Sequence, residues 1–189
     1  TSKSTETRIT LRNIGAIDPE QIDDALAAGG YEALEKALSM PRDHVIDELV
    51  ASSLRGRGGA GFSAGLKERF TSDAASEIQT VYVICNADEG EPGTFKDRVI
   101  MERDPHLLIE GLLIAAYAIG ATKAFVYIRG EYHLSIKRVQ AAIAAAVERG
   151  FAGDNMFGTP TSISVEVRLG AGSYLCGEEL TLIESLEGK

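Results

Sequence analysis

From residue 81 onward, short apolar runs alternate with helical periodicity, and no other feature constrains the fold as tightly. Val81-Tyr82-Val83-Ile84-Cys85 is a continuous apolar run, the pattern of a strand buried on both faces of a parallel sheet. Asp104-Pro105 then opens a helix that runs to about residue 119. Ala124-Phe125-Val126-Tyr127-Ile128 is a second strand. Residues 131–149 form the next helix, with Ile136, Val139, Ile143 and Val147 on one stripe, and residues 163–167 alternate as a third strand. Strand, helix, strand, helix, strand implies right-handed crossovers and a Rossmann-like α/β fold, a parallel sheet with its sites at the carboxyl ends of the strands. Polar residues gather at those ends. Asn86, Asp88, Glu89 and Glu91 follow the first strand directly, and residues 170–179 follow the third.

The residues before the sheet are helical in pattern. Asp18-Pro19-Glu20-Gln21 reads as a helix start, with Asp18 as N-cap, Pro19 at the first helical position and Gln21 completing a capping box; Gly29-Gly30 ends that helix. Residues 31–39 and 41 to about 53 form two more short helices, the second with Val45, Ile46, Leu49 and Val50 on one face. Residues 71–79 read as a polar connection. The expected organisation is a small helical segment over 1–54 followed by an α/β domain over 55–189.

Between these parts lies Arg55-Gly56-Arg57-Gly58-Gly59-Ala60-Gly61-Phe62, in which Gly fills four of eight positions. Residues 56–61 match G-x-G-x-x-G, whose glycines let a backbone approach a pyrophosphate at a helix N-terminus. The usual dinucleotide fingerprint follows a strand, whereas here a helix comes first, so a plain turn is the bland reading. Arg55, Arg57, Lys67 and Arg69 nevertheless surround the loop in an otherwise acidic chain. Successive N–H groups in such a loop form an anion-binding nest, and a planar or anionic ligand lying against it is the better reading. Asn86-Ala87-Asp88-Glu89-Gly90-Glu91-Pro92-Gly93-Thr94 puts three carboxylates within four residues on a strand-end loop. It reads as a solvated turn, a hard-metal site or a set of acceptors for sugar hydroxyls. The lack of EF-hand spacing, with a nest across the cleft, favours ribose or ribityl hydroxyls. Gly177-Glu178-Glu179 opens the last helix, where carboxylates are also favoured by the macrodipole alone.

Composition narrows the class. A net charge of −9 argues against a sequence-independent grip on nucleic acid. With two cysteines, Cys85 and Cys176, and no leader-like pattern, a disulfide-stapled secreted domain is disfavoured and the cytoplasm is the expected location. The longest apolar stretch, residues 107–121, is interrupted by Glu110 and Gly111 and is shorter than the roughly 20 residues that span a bilayer, so it is expected as a buried helix without membrane insertion. His44, His106 and His133 share no spacing and are expected at surface or helix-end positions, not in a zinc site. Cys85 is expected in the core; Cys176 lies in the 170–179 motif, in the core or facing a cofactor.

RGRGGAGF at 55–62, CNADEGEPGTFKDR at 85–98, RGEY at 129–132 and GAGSYLCGEE at 170–179 together resemble the family of the 51-kDa flavoprotein subunit of NADH dehydrogenase and its soluble relatives. The resemblance extends over essentially the whole chain. It implies FMN contacts at Gly56, Arg57, Gly58, Lys67, Asn86, Asp88, Glu89, Tyr174, Gly177, Glu178 and Glu179. It implies NADH contacts at Gly58, Gly59, Ala60, Phe62, Phe70, Glu91 and Glu179, where a phenyl face suits an adenine ring. The implied reaction is hydride transfer between NADH and FMN, then single electrons to iron-sulfur clusters, with no catalytic acid or base from the chain. The family's 4Fe-4S cluster is held by cysteines further downstream. No C-x-x-C is present here, so no metal ligand is expected in this chain, and a fragment is the expectation. The implied partners are a 24-kDa-like 2Fe-2S subunit and further iron-sulfur electron-transfer subunits. Residues 8–38, with Asn13-Ile14-Gly15-Ala16-Ile17-Asp18-Pro19-Glu20, resemble the soluble branch that includes NAD-reducing hydrogenases and NAD-dependent formate dehydrogenases. Ser63-Ala64 departs from the Pro-Thr of many members and alters backbone stiffness more than chemistry.

Two other classes remain open at this point. One is a flavin-free nucleotide-binding protein such as a Rossmann-type dehydrogenase; the other is a non-catalytic scaffold subunit of the same kind of complex.

Overall fold

The computed structural model describes residues 7–75, 80–170, 182–184 and 187. Three parallel strands form the sheet in the order β1-β2-β3: β1 is Tyr82–Ala87, β2 is Lys123–Arg129 and β3 is Ser164–Gly170. The crossovers are helices α6 (Pro105–Ile119) and α7 (His133–Glu148), so the expected α/β alternation is present. Two right-handed crossovers running in one direction across a sheet place both helices on the same face. The alternation of side chains agrees. Val83, Cys85, Ala124, Val126, Ile128, Val165 and Val167 join the helix-covered core, while Ile84 and Tyr127 point the other way and meet Leu182.

Along the apolar run of β1, Val83, Ile84 and Cys85 are half-buried and Tyr82 is exposed, where the sequence implies burial on both faces. Tyr82 is 53% exposed, and among the described residues only Leu182 packs on that side with Ile84 and Tyr127. On α7 the buried row is Ser135, Val139, Ala142 and Ala146, whereas Val147 at the end of the expected stripe is exposed. Ile136, Val139 and Ile143 of that stripe do pack in the core, beside Ala142 and Ala146.

Before the sheet come α1 (Ile22–Ala27), α2 (Glu32–Leu38), α3 (Arg42–Ser52) and α4 (Ala64–Ala75). Asp18 does not cap α1. Its Oδ1 accepts the N–H of Glu20 at 2.9 Å in a local turn, and the helix starts at Ile22 without a side-chain cap. Gly29 (φ 85°) then closes α1, and Gly30 donates to the Ala25 carbonyl at 2.8 Å. The polar stretch from residue 71 is in part helical, since α4 continues to Ala75. Residues 95–103 hold another helix absent from the pattern, α5 (Lys96–Arg103).

Helices α1 and α2 share the main core, while Val45 and Ile46 of α3 pack in a smaller cluster with Ala37 and Ala118. Tyr31 and Leu34 lie in the same cluster as the sheet, and Tyr31 stacks through Phe151 on Phe157 with ring centroids 4.7 and 4.8 Å apart. Glu110, which interrupts the apolar run of α6, has a specific partner: its Oε1 accepts the N–H groups of Ala33 and Leu34 at 3.1 and 3.2 Å. It caps α2 from another helix, because Tyr31 at the N-cap offers no side-chain acceptor there. His44 and His133 are exposed, but His106 is 3% exposed, and its Nδ1 is hydrogen-bonded with the Tyr31 hydroxyl at 2.9 Å. Asp104 caps α6 as expected, accepting from Leu107 N at 3.3 Å, and also receives Asn13 Nδ2 at 2.9 Å.

Candidate functional site

The glycine loop hangs between two helices. Gly56 N donates to Phe62 O at 2.8 Å and Ala64 N to Leu54 O at 2.9 Å, so the loop is pinched at its base and residues 57–61 project from it. Gly59 (φ 115°) and Gly61 (φ 63°) have backbone angles that side chains rarely adopt. Ser63 Oγ then accepts Leu66 N at 3.3 Å and starts α4. The next residue that matters is Gly65: a Cβ there would lie 2.5 Å from Val50 N, so only glycine lets α4 approach α3 so closely. Arg69 pairs with Asp43 and Asp47 of α3 and is not one of the cations facing the loop's ligand side.

Strand β1 runs past Cys85 to include Asn86 and Ala87 and delivers the acidic segment. Asn86 Oδ1 accepts Asp88 N at 3.2 Å, and Asp88 O accepts Gly90 N at 2.8 Å. Glu89 is 5% exposed, and its carboxylate accepts the N–H groups of Asp97 and Arg98 at 3.0 and 3.2 Å, capping α5. The Tyr132 hydroxyl adds a bond at 3.4 Å, and Arg129 Nη1 donates to the Glu89 carbonyl at 2.8 Å. The string RGEY therefore has a physical role, because its Arg and Tyr hold the acidic loop from the ends of β2 and α7.

These parts enclose a cleft of about 1190 Å³, larger than the ~300–1,000 Å³ of a typical single-ligand pocket. Arg57, Gly58, Gly59 and Lys67 line it from the glycine loop and α4, and Asn86, Asp88, Glu89 and Glu91 line it from the end of β1 and the acidic segment. Gly56 sits in the pinched base of the loop, and Ala60, Phe62 and Phe70 lie outside the lining, the two Phe residues 53% and 61% exposed. Tyr174, Cys176, Gly177, Glu178 and Glu179 lie outside the described residues. The lining fits a flavin mononucleotide: an added Cβ at Gly58 or Gly59 meets nothing within 4 Å, which leaves a flat ring an open approach, and the same cleft is lined by both cations and hydroxyl acceptors. Among the described residues no group of His, Cys, Asp and Glu is arranged to hold a metal ion.

Sequence reasoning missed several lining residues. Glu68 and Thr71 lie on α4, Thr94 in the acidic loop, and Lys96 and Asp97 at the start of α5. The only signal for α4 was Ser63 three residues before Leu66, because a helix that faces a polar cleft carries no apolar stripe. Glu68 stands out chemically. Burial raises its carboxyl from 4.5 to about 7. Cys85 is half-buried against the core, and burial, with a smaller push from Asp97, raises its thiol to about 11, so it is neutral and unreactive.

A parallel α/β sheet with a glycine loop and an acidic strand-end loop lining one cleft defines a nucleotide-cofactor-binding domain. Residues 49–189 match the model of the Nuo51 FMN-binding domain, and the chain belongs to that family. It is 52% identical over 182 residues to a NADH-quinone oxidoreductase F subunit of Rhizobium meliloti (strain 1021), covering 96% of this chain and 43% of that protein. It is 48% identical over 189 residues to the NADP-reducing hydrogenase subunit HndC of Solidesulfovibrio fructosivorans, covering 100% of this chain and 38% of that one. Among solved structures, a NAD+-reducing [NiFe]-hydrogenase in the H2-reduced state superposes with a TM-score of 0.71 at 37% identity, over 97% of this chain and 28% of that one. The chain thus spans about two fifths of the length of the curated relatives it matches. Among the described residues, no helix is long and apolar enough to cross a membrane.

Proposed function

We propose that this chain is the FMN-binding, NADH-oxidising or NAD-reducing part of a flavin and iron-sulfur oxidoreductase. The observation that carries the reading is the single cleft lined by both the glycine loop and the acidic strand-end loop, in a chain of the FMN-binding family. When bound, FMN would supply the exchange between an electron pair from NADH and single electrons, which no side chain here performs. The chain's own residues act as holders. Arg57, Gly58 and Lys67, with Gly56 at the base of the loop, form the nest side, and Asn86, Asp88 and Glu89 form the hydroxyl side. The family resemblance adds Tyr174, Gly177, Glu178 and Glu179 as flavin contacts, and these lie outside the described residues. NADH enters over Gly58, Gly59 and Ala60, with Glu91 on its ribose and the exposed Phe62 and Phe70 available to stack on adenine. The resemblance adds Glu179, outside the described residues, to the NADH contacts.

The reading takes 1–54 as a helical support, tied to the sheet's core through Tyr31 and Leu34, and 55–189 as the cofactor domain. A 4Fe-4S cluster belongs to a further part of the same subunit, and a 2Fe-2S subunit with other iron-sulfur proteins takes the electrons, in the cytoplasm. A hydrogenase or formate dehydrogenase partner suits the soluble branch. The test is FMN affinity of the full-length protein. Arg57→Ala and Asp88→Ala are each expected to weaken FMN binding about tenfold or more, corresponding to one charged hydrogen bond of ~1.5–3 kcal/mol. Unchanged affinity in both variants contradicts the assignment, and a wild-type protein that binds nucleotide but no flavin favours a flavin-free role.

A further inference from the structure

We propose that Glu68 takes up a proton when an anionic ligand occupies the cleft, so that affinity at this site is set by pH through a carboxyl on α4. The inference rests on the FMN reading and deepens it. Glu68 lies with Ala64, Thr71 and Ala75 on the inward row of α4, where helical spacing calls for an apolar residue. Its Oε2 is sealed from solvent and has no hydrogen-bond partner among the described residues. Buried polar atoms are ordinarily paired, and an orphan of this kind in a ligand cleft needs an explanation.

The surroundings leave the charged form poorly supported. On α6 the facing cleft residues are Ala115 and Ile119, which carry neither charge nor side-chain donor. On α3, Asp43 and Asp47 are paired with Arg69. In the same cleft the acidic loop presents Asp88, Glu89 and Glu91, and β1 presents Tyr82. The cations are Arg57 on the glycine loop, Lys67 on α4 itself, which has an interaction of its own, and Lys96, which is paired with Asp97 at 2.7 Å. Burial alone brings the acid to about 7, so it is divided between its two forms near neutrality. A ligand changes the balance in one direction. It displaces water from the cleft that Glu68 lines, and it adds negative charge there. Each effect disfavours the carboxylate. A proton from solvent therefore adds to Glu68 as the ligand binds, and affinity falls as pH rises above neutrality, by at most about tenfold per pH unit for one linked proton.

The experiment is calorimetric titration of the full-length, flavin-stripped protein with FMN, between about pH 7 and 8, in two buffers of different ionisation enthalpy. Wild type is expected to take up a fraction of a proton on binding, and its affinity to fall with pH more steeply than that of Glu68→Gln, which keeps only the titration of the FMN phosphate. Glu68→Leu, matched to Ala115 and Ile119, serves as a second variant should the Gln form fail to fold. An infrared carbonyl band of a protonated acid is expected to grow on FMN binding in wild type and to be missing from both variants. Equal proton uptake in wild type and variants, or a net release that vanishes on substitution, overturns the inference while leaving the FMN reading intact. Failure of wild type to bind FMN at all overturns both.

Discussion

Glu110 and Glu68 both project inward from a helix, and they meet opposite treatment. Glu110 on α6 is 4% exposed and receives two backbone N–H groups from α2, beside Asp104, which receives Asn13 and Leu107, and His106, which meets Tyr31. Every acid and ring in that region has a protein partner. Glu68 on α4 keeps an unpaired oxygen in the wall of the cleft. The first region is built to hold the N-terminal helices against the sheet; the second leaves polar capacity for a ligand. A buried acid thus reads as structural or functional according to where its hydrogen bonds go, not according to its burial.

The largest effect is expected at the satisfied end. Glu110→Ala leaves the Ala33 and Leu34 N–H groups buried without acceptors and opens a void, lowering unfolding free energy by about 3 kcal/mol, measured by denaturant titration. A loss below ~1 kcal/mol would erase the contrast. Gly65→Ala attacks the seat of the cleft, since its Cβ collides with the α3 backbone; a destabilisation of about 2 kcal/mol and weaker FMN binding are expected together. Tyr132→Phe removes one bond to Glu89 and is expected to cost about 1 kcal/mol, read as faster amide exchange at Asp97 and Arg98.

The pH responses sharpen the same contrast, because the two regions have opposite signs. Burial lowers the His106 pKa, so the native ring is neutral, the unfolded chain binds the extra proton, and stability is lost as pH falls below 6.5. Glu68 is raised, so its native form holds the proton longer, and its contribution is present below 4.5 and lost as pH rises through about 7. Glu68→Gln is accordingly expected to stabilise the protein at pH 8 by about 1 kcal/mol, a figure reduced for partial exposure to solvent, and to leave it unchanged at pH 4. Thermal melts across pH separate the two slopes. His106→Gln flattens the acid side, Glu68→Gln the alkaline side.

Much of the fold was legible because the sheet and its crossovers follow simple periods. Ala124 to Ile128 alternates faces as its apolar run requires, and Asp104-Pro105 marks the start of α6 within one residue. What was illegible depends on contacts between distant segments. Nothing local predicts that Glu110 caps α2 or that Glu89 caps α5, since both partners arrive from another element. α4 escaped notice because its inward row holds Glu68 and Thr71 where a core-facing helix has Leu or Val. The same polar row is what makes it a cleft wall. At the site, Arg57, Gly58, Lys67, Asn86 and Asp88 were visible through motifs, yet Arg69, grouped with them by charge, belongs to α3 through its Asp partners.

The most direct single measurement is the visible spectrum of the full-length protein reconstituted with FMN, before and after anaerobic addition of NADH. Stoichiometric uptake of FMN and bleaching of its absorption band by NADH is the expected result. A protein that cannot be loaded with flavin, or whose flavin band is indifferent to NADH, contradicts the function proposed for the cleft.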